Sequence, residues 1–217
     1  MTAFLDHFSE WTPELIVAAL QTLYLTLASF AAAALLAIPV CALRVSRVKL
    51  LRVAAASYIE VARGLPVLVI LFLIYFGLPT VMPGFRWSST QCAILGFGLQ
   101  GSALLAEVYR AAIYAVDRGE KEAFTTLGLT PFQGLLHVTA PQAFRTALPP
   151  IGNYLVGLLK DTSIASIIAA PELMLRAKDL SSSSFKPMPV YIYVALIYFV
   201  LSFPLARGLR YLEPRRA

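Results

Sequence analysis

Val67-Leu68-Val69-Ile70-Leu71-Phe72-Leu73-Ile74-Tyr75-Phe76-Gly77 runs without a charged or amide side chain, then breaks at Leu78-Pro79. It belongs to an apolar stretch near 54–78, and comparable stretches lie near 15–43, 88–115, 146–170 and 188–211. A helix needs about 20 apolar residues to cross a bilayer, and each stretch is long enough. Gly and Pro within them do not disqualify a crossing, because neighbouring helices satisfy the backbone groups they free. Of the 217 residues, 59% are hydrophobic and 14% charged, and the mean hydropathy is +0.73. Soluble domains are about half apolar and about a quarter charged. A soluble fold of this size has no core large enough to hide so much apolar surface. The expected fold is therefore an all-α membrane protein of about five transmembrane helices, forming a single domain over 1–217.

Charge sets the expected orientation. Asp6, Glu10 and Glu14 precede the first stretch with no Lys or Arg, the reverse of a cleavable signal, so that stretch is expected to remain as an anchor. Arg44, Arg47, Lys49, Arg52, Arg110, Arg118, Lys121, Arg145, Arg207, Arg210, Arg215 and Arg216 fall on one side of the bilayer. Arg86, Arg176, Lys178 and Lys186 fall on the other, and this 12-to-4 split places the N-terminus outside and the C-terminus in the cytoplasm. The net charge of +6 is explained by lipid orientation, with no nucleic-acid partner expected. Cys41 and Cys92 lie in separate apolar stretches and read as buried small hydrophobes.

Residues 116–145 form an expected cytoplasmic loop of roughly thirty residues, and loops that long in compact domains are usually functional. Arg118-Gly119-Glu120-Lys121-Glu122-Ala123-Phe124 opens a short helix, with Gly128 at its C′ position. Thr130-Pro131 reads as the N-cap and first position of a second short helix. Ala140-Pro141 is expected to restart a helix, and Leu148-Pro149-Pro150 to mark entry into the fourth crossing.

Glu122-Ala123-Phe124, Gly128 and Pro141 resemble the EAA loop of ABC-importer permeases, whose pattern is Glu-Ala-Ala, then Gly, then a Leu-Pro-type ending. Tyr58-Ile59-Glu60-Val61-Ala62-Arg63-Gly64-Leu65-Pro66, Ala106-Glu107-Val108-Tyr109-Arg110, Pro141-Gln142-Ala143-Phe144-Arg145 and Leu159-Lys160-Asp161-Thr162-Ser163 are similar to the polar amino acid permease family, of the histidine, glutamine and cystine type. The resemblance runs over essentially the whole chain. Phe124 replaces the second Ala of the motif, and Ala111 stands where a Gly often follows the Arg.

The resemblance implies a permease subunit of an ATP-driven importer in the bacterial inner membrane, a transport subunit and not itself an enzyme. It implies a coupling helix, with Glu122, Ala123, Phe124 and Gly128 as ATPase-coupling residues, seated in a groove of a separate ATP-binding subunit. Closure of two ATPases then moves two permease subunits between inward- and outward-facing states. The implied partners are an ATP-binding subunit dimer, a second permease copy or homologue, a periplasmic solute-binding protein and an amino acid substrate. The chain has no Gly-rich P-loop ending in Gly-Lys-Ser/Thr, so no cofactor is expected in it, and ATP and Mg belong to the partner ATPase.

Ionisable groups deep in a bilayer are costly and are functional candidates by default. Counting about 1.5 Å per residue from the expected boundaries places Glu60, Arg63, Gln100, Lys160 and Asp161 near the midplane, the depth at which transporters commonly bind substrate. Glu60, Arg63, Gln100, Asn153 and Asp161 are the expected substrate-path residues, the carboxylates facing an ammonium and Arg63 a carboxylate. Gly64 and Pro66 loosen the helix there and free backbone groups for a ligand. The competing expectation is a structural pair, since Glu60 and Arg63 are spaced i,i+3. His7 and His137 are isolated, with no metal spacing. Ser181-Ser182-Ser183-Ser184 suits an outer loop. Trp11, Trp87, Tyr191 and Tyr193 suit the bilayer interfaces. A secondary amino acid carrier is the rival class, but no clear internal repeat marks it. A membrane-embedded enzyme would need a catalytic pair or metal cluster, and none is visible.

Overall fold

The structure, a computed structural model, describes residues 8–84, 86–117, 119, 128 and 130–212. Among them every regular element is helical. Helix α1, Phe8–Arg44, has 37 residues, about 55 Å of helix against a hydrocarbon core of about 30 Å. Its buried face is rich in small residues, including Thr22, Ser29, Ala33 and Ala37. It packs along α4, Ser89–Ala115. The approach is close because α4 offers glycines: a Cβ on Gly98 would lie 3.1 Å from Ala32 Cβ, and one on Gly101 would sit 2.7 Å from Ala33 Cβ and collide with the Tyr154 hydroxyl. Small residues let membrane helices approach this way. Ser88 starts α4 with a capping box, its Oγ accepting from Gln91 N at 3.2 Å and its N–H donating to Gln91 Oε1 at 2.9 Å.

The stretch near 54–78 is not one continuous helix. Helix α2, Lys49–Gly64, stops at Leu65, whose φ −93 and ψ 137 are extended. The cause is Pro66, whose ring disfavours helical backbone in the residue before it. Helix α3, Val67–Val81, leaves at 103° to α2. The expected break at Leu78-Pro79 does not form. A π turn over Leu73–Gly77 precedes Pro79 and absorbs the clash its ring would make with the carbonyl four residues back.

The helical run beginning at Pro131 corrects two further expectations. Thr130 caps it as expected: its N–H and Oγ1 both meet Gln133 Oε1, and Gln133 N–H returns to Thr130 Oγ1 at 3.3 Å. Yet no restart occurs at Ala140-Pro141, because a π turn over Leu135–Thr139 again takes up the proline. The run continues directly into α5, Ala140–Asp161, with Pro149 and Pro150 inside the helix and not at its entry. Packing on α7, Pro187–Leu212, supports α5 there, for Leu209 lies where a Cβ on Gly152 would fall.

Past Asp161 the chain takes a 3-10 course over Thr162–Ile168. Helix α6, Leu173–Ser184, follows. Ser181 to Ser184 therefore close a helix and do not form a loop. Leu173, Ala177 and Leu180 bury one face of this helix, and the Ser183 and Ser184 hydroxyls turn back to the Leu180 carbonyl, at 3.3 and 2.6 Å.

Helices long and apolar enough to cross a membrane are Glu10–Arg44, Ser89–Ala115 and Pro187–Leu209, and the bent α2–α3 pair passes the same test only when joined. The stretch near 146–170 is divided between α5 and the 3-10 segment. Four apolar clusters hold the bundle among the described residues, and a small one of these joins Ala112 and Val116 to Ala143 and Ala147. Of the others, one surrounds Leu71 and Phe97, one Ala33 and Leu105, and one gathers Trp11, Leu15, Leu173 and Tyr193 near the start of α1. Trp11 and Tyr193 are thus core residues of that end, and Thr12 Oγ1 and Tyr193 Oη lie 2.8 Å apart. Cys41 and Cys92 are free and buried.

Candidate functional site

The break at Leu65–Pro66 organises the first part of the site. A helix that stops leaves its last carbonyls without partners. Gln100, half-buried on α4, donates its Nε2 to the Leu65 carbonyl at 3.2 Å. Tyr58 one face below donates to the Leu99 carbonyl at 2.9 Å and lies 2.7 Å from Ser102 Oγ. These bonds fasten the end of α2 to α4. A Cβ on Gly64 would meet nothing within 4 Å, so the break is open on its outer side.

Glu60 and Arg63 are both exposed and form no ion pair with each other, so the structural pair is not made. Arg63 instead opens onto a groove of ≈ 560 Å³ shared with Glu107, Arg110, Thr146 and Pro150. Glu107 is the residue that the depth count missed. Its Oε2 accepts from Arg110 Nε at 2.9 Å, and its Oε1 lies 3.4 Å from Arg44 Nε, tying α1 to α4. The signal was present as Glu107 and Arg110 at i,i+3 in an apolar helix.

Helix α5 supplies the second part. Its inner face buries Ala143, Ala147, Leu158 and Leu159. The other face carries Thr146, Pro150, Asn153, Gly157 and Asp161, spaced by three and four residues so that they form one stripe. Thr146, Pro150, Asn153 and Asp161 are exposed, and a Cβ on Gly157 would meet nothing within 4 Å. Lys160 turns to the other side, onto a groove of ≈ 290 Å³ with Ser163, Tyr191 and Tyr198. Arg63 shares its groove with Thr146 and Pro150, the first members of the stripe, while Gln100 fastens the end of α2. No hydrogen bond or ion pair joins the α2 group to Asp161.

Glu122, Ala123 and Phe124 lie outside the described residues. Gly128 is described, and its φ of +73 is the left-handed conformation expected of a C′ glycine. His137 is exposed, His7 lies outside the described residues, and among those described no three His, Cys, Asp or Glu side chains gather to hold a metal. At the opposite end, Glu172 is 1% exposed and caps α6. Its carboxylate accepts from Met174 N at 2.7 Å, Leu175 N at 2.6 Å and Tyr198 Oη at 3.1 Å. Burial pushes this carboxyl above the ordinary carboxylate range, and the three donors pull it partly back.

Comparison with known proteins bears on this arrangement. The model of the family described as binding-protein-dependent transport system inner membrane component matches residues 25–217. The probable glutamine ABC transporter permease protein GlnM of Bacillus subtilis (strain 168) is 38% identical over 195 residues, covering 90% of this chain and 89% of that protein. The L-cystine transport system permease protein TcyB of the same organism is 34% identical, over 90% of this chain and 84% of its own. A crystal structure of an amino acid ABC transporter with histidines superposes with a TM-score of 0.90 at 34% identity, covering 98% of both chains. The inward-facing MetNI methionine ABC transporter shares the fold, with a TM-score of 0.73 at 20% identity over 91% of this chain and 95% of that one.

Proposed function

Since this chain belongs to the family of binding-protein-dependent transport system inner membrane components, we propose that it forms the translocation path of an ATP-driven importer for polar amino acids and couples that path to a separate ATPase. The family, the relatives and the apolar helices support an amino acid ABC permease of the bacterial inner membrane. The observation that carries the path is the uncovered stripe of α5, Thr146 through Asp161, facing outward beside Arg63 and the open break of α2. A charge that faces lipid at membrane depth is costly, so such a face needs water or another protein against it. A second permease copy, identical or homologous, supplies the opposite wall. Asp161 and Glu60 take the substrate ammonium or a cationic side chain, Arg63 the carboxylate, and Asn153 lines the way between.

Coupling is assigned to Glu122, Ala123, Phe124 and Gly128, with ATP and Mg held by the partner subunit. Gly128 has the left-handed backbone of a helix-ending glycine, and the helical run from Pro131 through α5 reaches toward the path without interruption. A pull on the loop therefore acts directly on the stripe. A periplasmic solute-binding protein delivers the substrate.

Reconstitution with the ATPase and the binding protein in liposomes tests this. ATP-dependent uptake from a panel of L-glutamine, L-histidine and L-cystine is expected, and uptake driven by an ion gradient with no ATPase present would overturn the proposal. Asp161→Asn is expected to weaken both apparent affinity and substrate-stimulated transport. If neither changes, Asp161 is not part of the path.

A further inference from the structure

Asp161 ends α5, and the next seven residues, Thr162–Ile168, are 3-10 helix. Runs of 3-10 helix beyond about four residues are uncommon, because side chains eclipse and the hydrogen bonds are poorly aligned. This run also ends on Ala169 with φ 55, a left-handed conformation that costs an L-residue energy. Its persistence needs support from neighbouring elements.

Two side chains provide it. Ser89 Oγ, at the start of α4, donates to the Ala169 carbonyl at 3.0 Å. Lys178, on α6, donates its Nζ to Ser166 Oγ at 2.9 Å. Ser166 is buried, and a hydrogen bond from a charged donor is stronger than a neutral one. The Lys178 charge also acts on the buried Glu172 carboxylate. Thr162, the other buried hydroxyl of the run, is satisfied locally by the Leu159 carbonyl at 2.8 Å. Lys178 is therefore the charged tie between α6 and the middle of the run.

We propose that Lys178 is a positioning residue: by pinning Ser166 it keeps the run in its extended 3-10 form and so sets where Asp161 stands in the path. This rests on the substrate-path role assigned to Asp161. Seven residues rise about 14 Å as 3-10 helix and about 10.5 Å as α-helix. Loss of the pin lets the run shorten by about 3.5 Å and rotate, and Asp161 moves with it.

The test uses the assembled importer in proteoliposomes, with whichever of L-glutamine, L-histidine or L-cystine the unmodified protein takes up best. Lys178→Met is expected to raise the half-saturating concentration about three- to tenfold, the scale of one hydrogen bond, with maximal rate and basal ATPase activity kept. Lys178→Arg, which retains a charged donor, is expected to restore much of the affinity. Ser166→Ala, a milder change, should reproduce the effect, and the double variant should be no worse than either single one. Additive effects of the two variants, or a lowered maximal rate at unchanged affinity, would overturn the pin. An unchanged Lys178→Met beside an impaired Asp161→Asn also overturns it and leaves the path intact. An affinity loss at Lys178 beside a neutral Asp161→Asn overturns the role of Asp161, and with it the claim that the pin serves that residue.

Discussion

Gln100 places its amide on the Leu65 carbonyl, 3.2 Å away, where the helix has ended and no backbone donor follows. Gln100→Leu leaves that acceptor unsatisfied in a low-dielectric setting. The expected loss is about 1–3 kcal/mol, visible as a lower unfolding temperature in detergent, and an unchanged value would show that water replaces the amide. The glycines divide by their surroundings in the same way. Gly101→Ala has no room beside Ala33 and Tyr154, and overpacking of this kind costs about 1–3 kcal/mol. Gly157→Ala faces open space and should leave stability unchanged or raise it by up to about 1 kcal/mol, since Ala favours helix. Thermal denaturation of the pair checks both signs. Sequence alone named Gln100 as a polar group at depth, but a depth count carries no information about which way an amide points.

Proline supplies the contrast at the scale of elements. Pro66 ends a helix, whereas Pro79 and Pro141 are each carried by a π turn, and Pro149 and Pro150 stay inside α5. The same residue type gives different outcomes because packing decides whether neighbours hold the chain across the missing bond. Thr130, by contrast, was legible: a cap depends on side chains three residues apart and on little else. Thr130→Ala is expected to lose about 0.5–2 kcal/mol, read as faster hydrogen exchange over 131–139. Ala169 is strained by its φ of 55, so Ala169→Gly should stabilise by about 1 kcal/mol, measured as a raised unfolding temperature. A destabilised variant would mean that the alanine methyl makes contacts worth more than the strain.

The end of the molecule built from the start of α1, α6 and the start of α7 has its own pH response. Glu172 has a carboxyl raised by burial. Its folded-state value thus lies above its unfolded one, so its contribution is fully present below the unfolded value, about 4.3, and is lost as pH rises through the folded value. Hydrogen exchange of α6 should therefore quicken as pH climbs beyond the correction for intrinsic exchange, and Glu172→Gln should flatten that slope. For the molecule as a whole, the open stripe of α5 requires cover, so the purified importer is expected by mass to hold two permease chains with two ATPase chains.

The sequence by itself determined the apolar character of the long stretches, the helical class and the family resemblance. Each of these follows from local composition or from short motifs such as Ala106-Glu107-Val108-Tyr109-Arg110, whose meaning does not depend on distant residues. The tertiary structure alone decided that 54–78 bends by 103°, that the serine run is helical, that Glu60 and Arg63 stay apart, and that Lys178 reaches Ser166. Those outcomes depend on contacts between residues far apart along the chain. Hydropathy sums over a window and cannot register a single side chain that arrives from another helix.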